Sequence, residues 1–278
     1  MLKRTISGII MFIIVTACVL WGARPFAAIL LFCSMVAVFE MSRAFGIHDE
    51  DKPLNITEAI MYLATIGIYA TGIFCTSDNV DKWVMVVLVT MILLQLSNYV
   101  LTFPKLHASD ITAAIFIVIY APYLLSFGYR IEAFTGHPYI YTALIFIVSS
   151  ASDVFAYFVG VNLGKHKLAP VLSPKKSIEG AVGAIVLTSI SCVIYVVCLH
   201  MAGYMELSYI FIFAIIGAVG SIISQIGDLA ASAIKRNFNI KDYGRLIPGH
   251  GGIMDRVDSW IITMPIIYII LLIIGETV

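Results

Sequence analysis

Nine apolar runs, each close to the length of a membrane span and separated by short polar breaks, govern what this chain can fold into. Crossing the hydrocarbon core takes about 20 apolar residues per helix. Backbone groups find no water there, so runs of this kind are helical. They cover approximately 5–22, 25–46, 56–76, 83–103, 110–128, 139–163, 178–200, 207–234 and 256–275, with Gly, Pro, His and Ser marking the breaks. Composition agrees, since 60% hydrophobic and 12% charged residues are more than a soluble core could hide. The expected fold is an all-α integral membrane protein, a polytopic bundle of about nine transmembrane helices. Residues 1–278 read as a single membrane domain. Within it, 1–137 carries helices 1–5, a lipid-facing or structural part, and 138–278 carries helices 6–9 with long polar loops.

Charge placement orients the bundle. With nine spans, the amino terminus and every second loop share one side, and only Arg24, Lys82 and Arg130 of the 17 Lys and Arg fall on the other. By the positive-inside rule the amino terminus is cytoplasmic and the carboxyl terminus outside. Lys3 and Arg4 before the first run resemble a secretory signal, and Val15-Thr16-Ala17-Cys18 resembles a lipoprotein cleavage box. The second apolar run follows almost at once, so the first is expected to stay as a membrane helix. Cys18, Cys33, Cys75, Cys192 and Cys198 all sit in apolar runs without C-x-x-C or metal-ligand spacing, which predicts buried thiols and no disulfide.

Formal net charge is zero, so position carries the information. Ser232–Asp258 packs five basic residues, three aspartates and four glycines into one stretch. Just upstream, Ser221, Gln225, Asp228, Ser232 and Lys235 fall on one helical face and predict the wall of a polar cavity, with a polar seam between helices as the alternative. Ser149, Asp153, Tyr157, Gly160 and Gly164 show a milder stripe, in which G-x-x-x-G favours close helix packing. Glu40 and Arg43, three apart, are expected to form a structural ion pair. Glu179 is a further charge at a span's start. The turn Pro248-Gly249-His250-Gly251-Gly252 enters the last helix, whose free N–H groups favour anions. Asp255 and Asp258 in its first turn are equally suited to complement the helix dipole.

Carboxylates gathered near Lys and Arg, all hard oxygen donors, suit Mg²⁺ with phosphates and water. No Walker A, G-x-S-x-G or H-E-x-x-H pattern is present. His48, His107, His137, His166 and His200 lie near loops and are expected to be solvated; His250, between glycines, is the candidate ligand contact.

The stretch Ser232, Lys235-Arg236, Lys241-Asp242, Gly244, Pro248, His250-Gly251-Gly252, Asp255-Arg256 and Asp258 resembles the signature of the phosphatidate cytidylyltransferases, or CDP-diacylglycerol synthases. Asp153 through Ala156-Tyr157 to Gly160, Gly164 to Leu168, and Ser173 to Gly180 are similar to the same family. Ser177 stands where the family pattern has Thr, and Val161 where many members carry a basic residue. The likeness is strong over about residues 150–275. It implies condensation of CTP with phosphatidate to CDP-diacylglycerol and pyrophosphate, with Mg²⁺, as one or two ions, for cofactor. Asp228, Asp255, Lys235 and His250 would be catalytic, and Asp228, Asp255, Asp258 and Asp153 would hold metal. Lys175, Lys176, Ser177, Ser232, Arg236, Gly251, Gly252 and Arg256 would bind substrate. A homodimer in a prokaryotic inner membrane is implied, its active site facing the cytoplasm, with no nucleic-acid partner. The rivals are a CTP-dependent transferase using an isoprenoid-ether phosphatidate or a polyprenol, and an ion-coupled transporter.

Overall fold

A computed structural model describes residues 13, 15–49, 53–75, 77–134, 138–247 and 251–274. Its long helices are α1 (Ala23–Ala44), α2 (Ile56–Phe74), α3 (Ser77–Thr102), α4 (Ala108–Val118), α5 (Leu124–Phe134), α6 (Pro138–Leu163), α7 (Ile178–Met201), α8 (Ile210–Asn237) and α9 (Met254–Ile274). Eight spans among the described residues are long and apolar enough to cross a membrane. Half of the first expected run, 5–22, is described, and its residues 13 and 15–21 are helical. The fifth run is built from α4 and α5 joined by a π-helical turn, Ile119–Tyr123, and counts as one span, Ala108–Ile131. Pro122 sits in that turn, where its missing N–H and its ring disfavour a regular helix.

The polar segment after α6 holds structure that the apolar pattern did not announce. Strands β1 (Lys167–Ala169) and β2 (Ser173–Ser177) pair antiparallel as a short hairpin, with Lys167 opposite Ser177 and Ala169 opposite Ser173.

The chain forms two compact units. The first holds the residues up to Tyr139 together with Phe238–Val257, and the second holds Ile140–Asn237 and the residues from Asp258 onward. The charged loop after α8 therefore belongs with the amino-terminal helices.

In the first unit α1 packs on α2 and α5, and α2 packs on α3. Phe26, Leu30, Ala37 and Met41 share one face of α1 and are buried. The start of α2 is a capping box: Glu58 N donates to Asn55 Oδ1 at 2.8 Å and Asn55 N to Glu58 Oε2 at 3.1 Å. Glu58 is buried, and its Oε1 lies 2.6 Å from His48 Nδ1. His48 is thus not the solvated side chain expected from its place beside a loop, because a buried carboxylate needs a partner. His166 also has a carboxylate partner, Glu179, but is exposed, as expected.

In the second unit α7 packs along α8. A Cβ at Gly217 of α8 would lie 2.7 Å from Ser189 Cα on α7, so glycine is what lets these helices approach. Ser189 Oγ also donates to Ala214 O at 2.7 Å. All five cysteines are free thiols, but only Cys192 is buried; Cys18, Cys33 and Cys75 are half-buried and Cys198 is exposed, where burial was expected of all five.

Candidate active site

Within the second unit, the start of α7 is drawn tightly against α6. Ser177 Oγ caps α7 by accepting from Gly180 N at 3.2 Å. A Cβ on Gly180 would stand 2.6 Å from Ala156 O and 3.0 Å from Gly160 Cα, both backbone atoms. One on Gly164 would meet Ser177 Oγ at 2.6 Å. Gly160 and Gly164 therefore serve packing inside the chain, and they lend no support to a dimer interface. Glu179 closes the hairpin: Lys165 N donates to its Oε2 at 3.0 Å, and His166 Nδ1 lies 2.6 Å from its Oε1. Gly180→Ala is expected to push α6 and α7 apart at a cost of about 1–3 kcal/mol, read as an earlier denaturant midpoint in detergent; an unchanged midpoint would contradict this packing.

That hairpin aims one lysine inward. Neighbouring residues of a strand point to opposite faces, so Lys175 is exposed while Lys176 Nζ reaches Asp228 Oδ2 on α8 at 2.5 Å. The resemblance implies substrate binding by both Lys175 and Lys176; their strand places only Lys176 on this carboxylate. Asp258, on α9, is buried, and Asp228, Asp153 and Lys235 all lie close enough to act on its charge. The helices meet because Gly227 precedes Asp228: a Cβ there would lie 3.0 Å from Asp258 O.

Three carboxylates and two ammonium groups thus converge at one end of the second unit. The stripe predicted on α8 divides into two parts. Ser221 Oγ lies 2.9 Å from Ser152 Oγ on α6, and Gln225 Nε2 donates to Ala181 O at 3.3 Å, so this half is a seam between helices. Only from Asp228 to Lys235, with Ser232 between them, does the stripe border the charged cluster. Arg236 is exposed at the end of α8.

The remainder of the charged stretch is organised in the first unit by a residue that was assigned a plain ion pair. Glu40 on α1, 2% exposed, accepts from Ile253 N at 3.1 Å through Oε1 and from Met254 N at 2.8 Å through Oε2. Its carboxylate caps α9 from a distant point in the chain, satisfying N–H groups that a helix start leaves open. A Cβ on either Gly244 or Gly252 would overlap that carboxylate. The approach of Glu40 is thus one reason for glycine at 252, beside the approach by a ligand that the sequence suggested. Arg43 Nη2 donates to Tyr243 O at 2.9 Å and fastens the same loop.

Asp255 adds a second clasp, its Oδ2 accepting from Tyr243 N at 2.8 Å and from Gly252 N at 3.0 Å. Gly251 has φ +84°, a conformation glycine adopts freely, and Ile247 N donates to its carbonyl at 2.9 Å. Arg256 is exposed. His250 lies outside the described residues.

Residues 2–274 match the model of the cytidylyltransferase family. The chain belongs to that family. It is similar to the phosphatidate cytidylyltransferase of Bacillus subtilis, 31% identical over 98% of this chain and 97% of the relative. To the phosphatidate cytidylyltransferase of Staphylococcus epidermidis it is 32% identical over 97% of this chain and 98% of the relative. That of Staphylococcus aureus is 29% identical, with 97% of this chain and 98% of the relative covered. The match runs through all the described spans, including the amino-terminal helices, where the sequence offered hydropathy alone. Membership explains why one chain combines a membrane bundle with a dense cluster of acids and bases: both partners of a cytidylyl transfer carry phosphate.

The carboxylates suit a divalent metal in donor chemistry, being hard oxygen ligands that outnumber the ammonium groups around them. Among the described residues no three His, Cys, Asp or Glu side chains converge at metal-binding distance. The cation held by Asp228 is the ammonium of Lys176.

Proposed function

We propose that this chain is a phosphatidate cytidylyltransferase of a bacterial membrane, condensing CTP with phosphatidate to CDP-diacylglycerol and pyrophosphate. Near-complete coverage by the family and by relatives bearing that name supports the reaction. The observation that carries its location is the convergence of Asp153, Asp228 and Asp258 with Lys176 and Lys235 in the second unit.

An oxygen of the lipid phosphate attacks the α-phosphorus of CTP; a new P–O bond forms as the α–β phosphoanhydride breaks and pyrophosphate departs. The phosphate monoester is already largely ionised near neutral pH, its second pKa being about 6, so no strong general base is required. Repulsion between two polyanions is the main obstacle, and fixed cations lower it. Lys176, paired with Asp228, and Lys235, which acts on Asp258, would supply that charge, while Arg236, Lys175 and Arg256, all exposed, would draw the nucleotide in. Asp228 and Asp258 would hold Mg²⁺, which when bound neutralises phosphate charge, with Asp153 adding negative charge beside them. Ser177 would act through the start of α7 by keeping the hairpin in place. Gly251, Gly252 and Asp255 would shape the loop beside His250. The cluster would face the cytoplasm, where CTP is found, and the enzyme would be a homodimer.

Purified protein in lipid–detergent micelles with CTP, phosphatidate and Mg²⁺ is expected to release pyrophosphate and CDP-lipid in equal amounts; formation of neither would sink the reading. Lys176→Met tests the ion pair separately. Removing the ammonium leaves the carboxylates more negative, so Mn²⁺ should bind about tenfold more tightly without nucleotide, while the KM for CTP rises. Equal Mn²⁺ affinity in both proteins would show that Lys176 and metal do not compete for Asp228.

A further inference from the structure

A groove of about 500 Å³ opens in the first unit, well supplied with apolar side chains that the reaction chemistry does not use. Phe32, Met35, Val36 and Phe39 form its floor along one face of α1, at the spacing that aligns residues on a helix, and Tyr62 of α2 forms a side. Phe32 is 54% exposed and Phe39 38% exposed, so this unit leaves the stripe open. At one end the stripe reaches Arg43, whose guanidinium lies 5.9 Å from the centre of the Phe39 ring. There Arg245 and Leu246 complete the lining. Arg245 is exposed and has no hydrogen bond or ion pair with a described residue.

We infer that this groove seats one acyl chain of an anionic phospholipid, with the phosphate against Arg245 and Arg43. Three features select that occupant. The floor is aliphatic and aromatic along its whole length, which favours a hydrocarbon tail. From Phe32 to Arg43 the stripe is about 16 Å long at the helical rise, close to half of the roughly 30 Å hydrocarbon core and so to one leaflet. Its charge lies at one end only, as in a phospholipid. Glu40 borders the same end, but both of its oxygens accept backbone N–H groups, and the nearby Asp255 is engaged by Tyr243 N and Gly252 N, so both carboxylates already have backbone donors while the two guanidinium groups line the groove. A phosphate with no quaternary amine beside it suits two guanidinium groups best. The preferred ligand is therefore phosphatidate or its cytidylyl product, and in that respect the inference rests on the reaction proposed above. Arg245 and the α1 stripe would then set lipid affinity and chain-length preference.

The test is photolabelling of the full chain in nanodiscs by phosphatidate carrying a diazirine on its tail, without CTP, followed by peptide mapping. Label is expected on the α1 peptide at Phe32 to Phe39. Arg245→Glu should lower that label about tenfold, the effect of losing a charge-assisted phosphate contact. The same change should raise the KM for phosphatidate and leave the KM for CTP unaltered. Met35→Trp, which fills the floor, should shift preference toward shorter acyl chains. Label found elsewhere, or equal labelling by a tail-diazirine phosphatidylcholine, overturns the inference. So does an α1 stripe shielded from label by the first apolar run of the chain. Turnover is measured on the same preparation. Normal CDP-lipid formation without α1 labelling defeats the groove alone, whereas α1 labelling without CDP-lipid defeats the proposed reaction and leaves the groove standing.

Discussion

Asp228→Asn is expected to lower CDP-lipid formation by about a hundredfold or more, the scale on which one preorganised electrostatic group contributes to catalysis, while the protein stays folded. The exchange keeps the shape and an oxygen that Lys176 can still approach, but removes the charge that the 2.5 Å contact now balances. Lys176, with only 20% of its side chain exposed, is then left without its full counter-charge, and Asp258 loses a repulsive neighbour. These two changes oppose each other in stability, so melting in detergent should move by only a few degrees. A structural role for Asp228 gives the reverse result: a lower midpoint with turnover per folded molecule preserved. Activity at saturating CTP and the midpoint are therefore measured together, and near-normal turnover would remove Asp228 from the reaction. Asp258→Asn should follow the same pattern, whereas Asp255→Asn should act first on stability, since Asp255 Oδ2 holds Tyr243 N and Gly252 N.

The spans were legible because lipid imposes one solution on a long apolar run, and their limits differ from α1, α2 and α6–α9 by a few residues at most. Asp228 was legible for a related reason, since an aspartate is costly within such a run unless something answers it. Other features were hidden for identifiable physical causes. The hairpin β1–β2 is too short and too polar to show alternation, and its inward lysine depends on strand pleat. Ser221 and Gln225 look the same in sequence whether they line water or bond another helix, and only the distances to Ser152 and Ala181 decide. His48 looked solvated because its partner Glu58 sits ten residues away across a turn whose path cannot be read from composition. Asp255 and Asp258 are one turn apart on α9, yet Asp255 caps a loop and Asp258 faces the carboxylates of α6 and α8. The sequence also placed Glu40 beside Arg43, a pairing visible at short range, and could not display acceptance of two N–H groups more than two hundred residues later.

Glu40→Ala is for that reason expected to be among the most destabilising single changes in the chain. It strips the acceptor from two buried N–H groups, at about 1–3 kcal/mol each, and leaves a cavity behind Gly244 and Gly252. A total of about 2–6 kcal/mol is comparable with the 5–15 kcal/mol that holds a typical domain together. Glu40→Gln should be milder, because it retains the volume and one carbonyl acceptor and loses mainly the interaction of the charge with the start of α9, about 0.3–2 kcal/mol. A merely local ion pair with Arg43 would rank the two substitutions nearly alike. Gly252 supplies a sharper discrimination. In the native background Gly252→Ala drives a methyl group into the Glu40 carboxylate and should cost up to about what losing that carboxylate's contacts costs; with Ala at position 40 the methyl group has room, so the second substitution should add little. Strong non-additivity of this kind is the signature of two groups sharing one space. Midpoints for the native protein, both single variants and the double variant, measured by denaturant unfolding in detergent, decide it. Equal penalties for Gly252→Ala in both backgrounds would mean that Glu40 is not what requires glycine there, and the loop would then owe its two glycines to a ligand.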